Sequence, residues 1–434
     1  MTAWPFVLVT GAEEHQGLAV IRGLGCAGIP VIACGSHRRS LGFYSRYATR
    51  CATYASPFRD RDRFVADMLE IIDANRPALV VPVAESTLVV LSSVRDQFPP
   101  GTALAAPPPS VLDCAIDKLR TVRLAEAVGV PVPKTAWGSD AAEVLDRARS
   151  LTFPVAIKPR GNALNAGTAH SAGFKVRYAK DFDELARLLA SQGAGAAALL
   201  VQEYVTGIGR CVSAVCRDGV PLVQFAYERE REYPLSGGVS VVRASIPLEP
   251  RVAEWTARLL GSMDWQGVAM VEFKYDRATD KYVLMEVNGR FQASTALSLD
   301  AGLNLPLIAA SVFLNRPVDV PAQYHIGVRE RWLRGDLMAL RDGLALARGK
   351  SPTRRPNGGF LPRHEVLRQF LRDFAGGTRY DEFKLDDWRP ALIEALAVGR
   401  IAGEWVLDVL KGPARVARRA WPRLRGAQEM PVST

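Results

Sequence analysis

The chain has 434 residues, 48% hydrophobic and 23% charged, a balance that supports roughly two to four domains with sizeable cores and excludes a disordered or low-complexity protein. No run approaches about eighteen apolar residues and the start, MTAWPFVLVTG, has no basic leader, so neither a transmembrane helix nor a signal peptide is expected and the cytoplasm is the expected compartment. The net charge of +10 is lopsided: from Gln323 onward 21 Lys and Arg face 13 Asp and Glu, so the main body is nearly neutral and no nucleic-acid partner is expected.

Residues 6–35 run strand, polar loop, amphipathic helix, strand, which is one βαβ unit and predicts a doubly wound parallel sheet. The loop, GAEEHQG, is not GxGxxG, and the next strand ends Ala33-Cys34-Gly35-Ser36 without an acid, so no dinucleotide site is expected there. Helices at about 61–75 and 86–97 flank a buried strand over 78–83. Glu85 follows that strand's carboxyl end, where open sheets place ligands; it either touches a substrate or begins the next helix. The six cysteines, Cys26, Cys34, Cys51, Cys114, Cys211 and Cys216, show no CxxC spacing and read as reduced structural residues.

PPPS at 107–110 closes this unit, and a helix bearing Asp117-Lys118 follows. FPVAIKPRG is a strand that breaks at Pro159 and carries Lys158 near its end, directly before the loop RGNALNAGTAHSAG. A long cation beside mobile backbone N–H groups suits a phosphate, while a lysine that snorkels to solvent is the plain alternative. ALLVQEYVTG (198–207) is an apolar strand with Gln202 and Glu203 near its end, then Tyr204 and Val205; such an extended exit offers backbone groups to the edge of a planar heterocycle. ERERE and PLSGGVS read as loops. Their Arg229, Arg231, Ser236, Gly237 and Gly238, with the nearby Arg243, either bind the carboxylate or phosphate of an acceptor or are solvated.

GVAMVEFKYDRATDKYVLMEVNGRF (267–291) predicts a hairpin. Strand periodicity puts Tyr282, Leu284, Glu286, Asn288 and Arg290 on one face. With the turn centred near Ala278, Leu284 lies opposite Glu272, and Glu286 is its diagonal neighbour roughly 7 to 8 Å away. Two carboxylates and an amide oxygen at that separation can share one or two hard cations such as Mg²⁺; a solvated hairpin face is the alternative.

The ordered set Asp117-Lys118, VAIKPR (155–160), VQEYVTG (201–207), SGGVS (236–240), GVAMVEFKYD (267–276) and LMEVNGRF (284–291) resembles the ATP-grasp superfamily. More narrowly, it resembles carboxylate-amine ligases that look like half of a carbamoyl-phosphate synthetase large subunit. The resemblance covers roughly residues 5–320. It implies a Rossmann-like pre-ATP-grasp domain over 1–110 and a two-subdomain ATP-grasp domain over 111–320, whose first subdomain lies at about 135–205. It also implies that Lys118 and Lys158 contact ATP phosphates, with Lys158 among the catalytic groups, and that Gln202, Glu203, Tyr204 and Val205 form the adenine hinge. Glu272, Glu286 and Asn288 are implied to hold Mg²⁺, two ions with Mn²⁺ an acceptable substitute, and Arg290 to steady an acyl phosphate. The implied reaction joins a small-molecule or precursor carboxylate to an amine; carbamoyl-phosphate-like or carboxylase-like activation and a silent ATP-binding module of a cell-surface polymer pathway are the alternatives. A homodimer is compatible with this. Relatives often carry Pro where Gly289 stands, and TGIGRC offers Arg210 where an acid commonly meets the ribose.

Residues 321–434 read as a basic, mainly helical extension. Leu392, Leu396, Ile401, Trp405 and Val409 fall at helical spacing, and KGPARVARRAWPRLRG (411–426) adds six cations and no acid. This segment either lies on anionic lipid at the inner face of a membrane or packs on the body with a solvated tail.

Overall fold

The computed structural model describes residues 3–161, 176–235, 237–346 and 361–410. Residues 162–173 of the loop RGNALNAGTAHSAG, Ser236 and the cationic tail from Lys411 lie outside the described residues.

Strands β1 (Val7–Val9), β2 (Val31–Gly35), β3 (Ala48–Thr53), β4 (Leu79–Val81) and β5 (Ala103–Leu104) form a parallel sheet in the order β3-β2-β1-β4-β5. Every residue of β1, β2 and β4 is buried, as in parallel strands covered on both faces. The strand order reverses at β1, between β2 and β4, so the loops after β1 and β4 open a crevice at the carboxyl edge. Glu14 and Glu85 stand at the ends of those two loops.

A small antiparallel sheet follows, made of β6 (Thr135–Ala136), β7 (Val155–Pro159), β8 (Arg177–Ala179) and β9 (Leu199–Glu203) in the order β6-β9-β7-β8. Its core is aliphatic: Val144, Val155, Ile157, Leu185, Leu189 and Val201 are buried together. The third sheet has seven strands in the order β14-β13-β10-β11-β12-β15-β16. Their ranges are β10 (Ile208–Arg217), β11 (Val220–Tyr233), β12 (Val239–Ser245), β13 (Gly267–Asp276), β14 (Lys281–Asn288), β15 (Arg329–Arg331) and β16 (Thr378–Tyr380).

Two expectations change here. The segment after residue 320 is helical over Leu333–Leu346, Arg363–Arg372 and Arg389–Leu410, but it also supplies β15 and β16 to the large sheet. It is therefore built into the body rather than appended to it. ERERE is not a loop: it lies within β11, where a register shift between Arg229 and Arg231 lets the two arginines reach different carboxylates, Glu272 and Asp336.

Candidate active site

The hairpin β13–β14 carries the expected oxygen ligands, but not in the expected register. Glu272 pairs directly with Glu286, Val271 with Val287 and Phe273 with Leu284, so Met285 is an extra residue in β14. Leu284 thus lies with Phe273 and Val287 in the core, together with Tyr282, on the face away from Glu286. The period-two assignment that grouped Tyr282 and Leu284 with Glu286 fails at this bulge.

Asn288 Nδ2 donates to Glu286 Oε1 at 2.8 Å, which leaves the amide oxygen for a cation. Arg229, two strands away on β11, donates to Glu272 through Nη1 at 3.0 Å and Nη2 at 2.5 Å. It also donates to Gly238 O at 3.4 Å and lies 3.6 Å from buried Glu232. Gly238 is required in the turn, since a Cβ there would meet Tyr233 O at 2.4 Å, and neighbouring Gly237 has φ +124°.

A cationic wall comes from the small sheet and the helix Lys118–Ala127. Asp117 caps that helix, accepting from the N–H groups of Leu119 and Arg120, and its carboxylate also takes Arg160 through contacts of 2.8 to 3.0 Å. Lys118 N donates to Arg160 O at 2.9 Å, so the pairing fixes Lys118 beside the end of β7, where Lys158 stands. Burial pushes the Lys158 ammonium below its ordinary value and Lys118 adds to the fall, against the pull of Glu286 and Glu272. Burial also acts to raise Glu286, but Lys118, the Asn288 bond, Arg229 and Lys158 outweigh it and hold the carboxyl low. For Glu272 burial wins, aided by Glu286 opposite, and the carboxyl rises despite Arg229. Two facing carboxylates with opposite shifts, and an amide oxygen beside them, form a hard-oxygen donor set that fits Mg²⁺.

Arg290 is 5% exposed and its Nη1 donates to Phe291 O at 3.3 Å and Gln292 Oε1 at 3.1 Å. The glycine before it is dictated by packing: a Cβ on Gly289 would meet the buried Trp265 ring at 2.7 Å. The charge of Arg290 reaches Glu14 in the loop after β1, whose carboxyl burial pushes up to about 7. Sequence reading passed over Glu14, although the switch-point rule that singled out Glu85 applies equally to the loop after β1. Glu85 itself begins the helix Glu85–Ser93.

At the hinge, buried Gln202 donates to Thr135 Oγ1 at 3.0 Å. Glu203 Oε1 accepts from Thr152 N at 2.8 Å and lies 3.8 Å from Lys134, so that carboxylate is held by the segments leading into β7 and β6. Tyr204 N donates to Pro154 O, and its ring meets that of Tyr178 edge-on at 5.4 Å; Val205 follows. Arg210 donates to Glu228 at 2.9 Å and stacks over Tyr275, which accounts for it without a ribose.

Two acceptor candidates are already paired with acids of the segment after residue 320. Arg243 is fully buried, with Nη2 donating to Glu330 at 2.8 Å, Asp381 at 2.6 Å and Ala293 O at 2.8 Å. Arg231 is bonded to Asp336 and Asp373. A buried guanidinium needs such partners, and here they tie the large sheet to the C-terminal segment.

The fold and this arrangement are similar to those of ATP-grasp proteins. Residues 117–319 match the family described as carbamoyl-phosphate synthase L chain, ATP binding domain. The chain is 24% identical over 261 residues to the multifunctional protein pyrABCN of Emericella nidulans, covering 58% of this chain and 11% of that protein. It is 28% identical over 184 residues to D-alanine--D-alanine ligase of Gluconobacter oxydans, covering 40% of this chain and 57% of that one. The chain thus spans less than two thirds of the length of these relatives. Among solved structures, biotin carboxylase from Campylobacter jejuni shares the fold at TM-score 0.59 and 14% identity, over 75% of this chain and 74% of that one.

Proposed function

We propose that this protein is an ATP- and Mg²⁺-dependent ligase that couples a carboxylate to an amine with release of ADP and phosphate. The observation that carries the proposal is the direct opposition of Glu272 and Glu286, with Asn288 beside them and the charges of Lys118 and Lys158 acting on Glu286. Glu272, Glu286 and Asn288 would hold Mg²⁺, which would supply charge neutralisation to the ATP phosphates. Lys118 and Lys158 neutralise the phosphoryl oxygens from the opposite wall, and the extended backbone of Gln202 to Val205 takes the adenine edge. A substrate carboxylate oxygen attacks the γ-phosphorus and ADP leaves. The amine then attacks the acyl carbon, gives up a proton, and phosphate departs. Buried Arg290 balances the anionic acyl phosphate. Arg229 and the Gly237-Gly238 turn hold the incoming anion, while Glu85 and Glu14 edge the crevice from which the acceptor enters.

The reading is tested by screening carboxylates against amines for release of ADP and phosphate, with Glu286→Ala as control. Production of AMP and pyrophosphate, or turnover unaffected by that substitution, would overturn it.

Contact with an anionic lipid surface is the second element of the proposal. No described helix is long and apolar enough to cross a membrane. The helix Arg389–Leu410, however, leaves Leu392 and Leu396 exposed, with Leu385 and Trp388 exposed just before it, and the sequence then adds six cations over 411–426. Liposome flotation of the full chain against a chain ending at Lys411 tests this; equal partitioning would sink it.

A further inference from the structure

Exposed apolar side chains are concentrated in one part of this protein. Among the described residues fourteen large hydrophobic side chains are exposed, and nine of them fall within residues 361–396, a clustering that marks an interaction surface rather than scattered exposure. Part of this cluster surrounds the start of the helix Arg389–Leu410. A separate part lies on the helix Arg363–Arg372, where Leu367 is 43% and Leu371 55% exposed. Phe374, just past the helix end, is 54% exposed, and steps of four and three residues put the three side chains on one stripe.

The opposite side of this helix is fixed to the large sheet. Phe370 is buried, and Arg331 Nη2 donates to its carbonyl oxygen at 3.2 Å while the guanidinium packs 4.3 Å from the ring centre. Asp373, fully buried at the helix end, accepts from Arg329 Nη2 at 3.0 Å and from Arg231. The outward leucines therefore belong to a helix that is already packed. Arg363, Arg368 and Arg372 edge the stripe and are exposed, whereas Glu365 is bonded to Arg368. Leucine and phenylalanine edged by arginine is the make-up of a helix lying in the plane of an anionic bilayer, its apolar side chains among the acyl chains and its arginine stems reaching back to the headgroups. A second copy of the chain would bring a rim of the same sign to this face. The sequence on either side, 347–360 and 411–426, holds cations and no acid, so it does not complement the face either.

We infer that the helix Arg363–Arg372 lies along an anionic bilayer through Leu367, Leu371 and Phe374, with Arg363, Arg368 and Arg372 at the lipid headgroups. The inference rests on the lipid contact proposed above for the kind of partner, but adds a second element that needs neither the cationic tail nor the ligase chemistry. Since Asp373 is bonded to Arg231, docking through this helix ties the bilayer to β11, the strand that also carries Arg229.

The test mixes the full chain with vesicles of equal parts phosphatidylcholine and phosphatidylglycerol and follows amide hydrogen exchange by mass spectrometry, which reports each segment separately. Slower exchange over residues 361–374 is expected when vesicles are present. In flotation with the same vesicles, the full chain carrying Leu367→Asp and Leu371→Asp is expected to bind more weakly by at least about tenfold per leucine, the scale of losing the burial of one such side chain. Circular dichroism checks that the double variant is folded; should it not fold, the exchange pattern of the unaltered chain decides. Protection confined to residues 385–410 would overturn the assignment of this helix and leave the earlier lipid contact standing, whereas no protection in either segment would overturn both. Unchanged flotation of the folded double variant would also overturn it. So would a dimer, seen by analytical ultracentrifugation without vesicles, that the double variant abolishes, since the face would then belong to a second copy.

Discussion

Glu272 and Glu286 stand directly opposite each other on β13 and β14 because Met285 is inserted between the Glu286 and Leu284 pairings. Without that extra residue, Glu286 would sit on the diagonal and share a face with Leu284; with it, Leu284 packs in the core and both acids share one face. Both carboxylates are thus available to one ion. Glu286→Gln is expected to lower ADP release by roughly 10² to 10³-fold, the scale for losing one element of transition-state charge stabilisation. A coupled ADP assay at saturating Mg²⁺ measures it, and a loss below about tenfold would argue that Glu286 is not a ligand.

Arg229 balances Glu272 while no metal is bound, through its two bonds to that carboxylate. Arg229→Met leaves a buried carboxylate facing Glu286 without its cation, a change worth roughly 3 to 5 kcal/mol. Thermal unfolding of the metal-free variant should show the loss, and added Mg²⁺ should raise its Tm more than that of the unaltered protein. Equal Mg²⁺ responses would mean that Arg229 and the ion do not share Glu272.

The residues of this site were legible because they sit at strand ends and helix starts that announce themselves locally. Lys158 precedes the strand-breaking Pro159, Lys118 begins a helix after its Asp117 cap, and Glu286 and Asn288 alternate on a strand. Pairing over long distance was not legible. Arg231 reads as a loop cation until Asp336 and Asp373, 105 and 142 residues downstream, are brought to it. Arg243 likewise meets Asp381 from 138 residues away, a carboxylate partner that its own surroundings in the sequence do not announce. The Met285 bulge left no mark either, since an inserted residue in a strand changes facing without changing composition.

Glu14 gives a pH prediction. Its carboxyl is raised by burial from 4.5 to about 7 in the folded protein, so the fold binds that proton more tightly than the unfolded chain does. The associated stability is full below about pH 4.5 and is lost as the pH rises through about 7, a difference of about 3 kcal/mol at roughly 1.4 kcal/mol per pH unit. Glu14→Gln should therefore raise stability at pH 8 and have little effect at pH 5. Urea unfolding at the two pH values measures this; a variant destabilised at pH 8 would show that the carboxylate form is the one the fold favours.

Arg22 and Asp387 join the N-terminal unit to the C-terminal segment. Arg22 is 4% exposed and bonds Asp387 Oδ2 at 2.8 Å as well as the backbone oxygens of Asp381, Glu382 and Asp387. Asp387 in turn accepts from Ser45 Oγ at 2.7 Å and Arg46 N at 2.8 Å. Removing one partner strands the other charge out of water, so Arg22→Met and Asp387→Leu should each cost roughly 3 to 5 kcal/mol. Removing both leaves no orphaned charge, and the double variant should be less destabilised than the two single losses added together. Denaturant unfolding of the four proteins in this cycle provides the measurement. Simple additivity would show that the two side chains act independently, and that the C-terminal segment is held mainly by the backbone bonds of Arg22 and by β15 and β16.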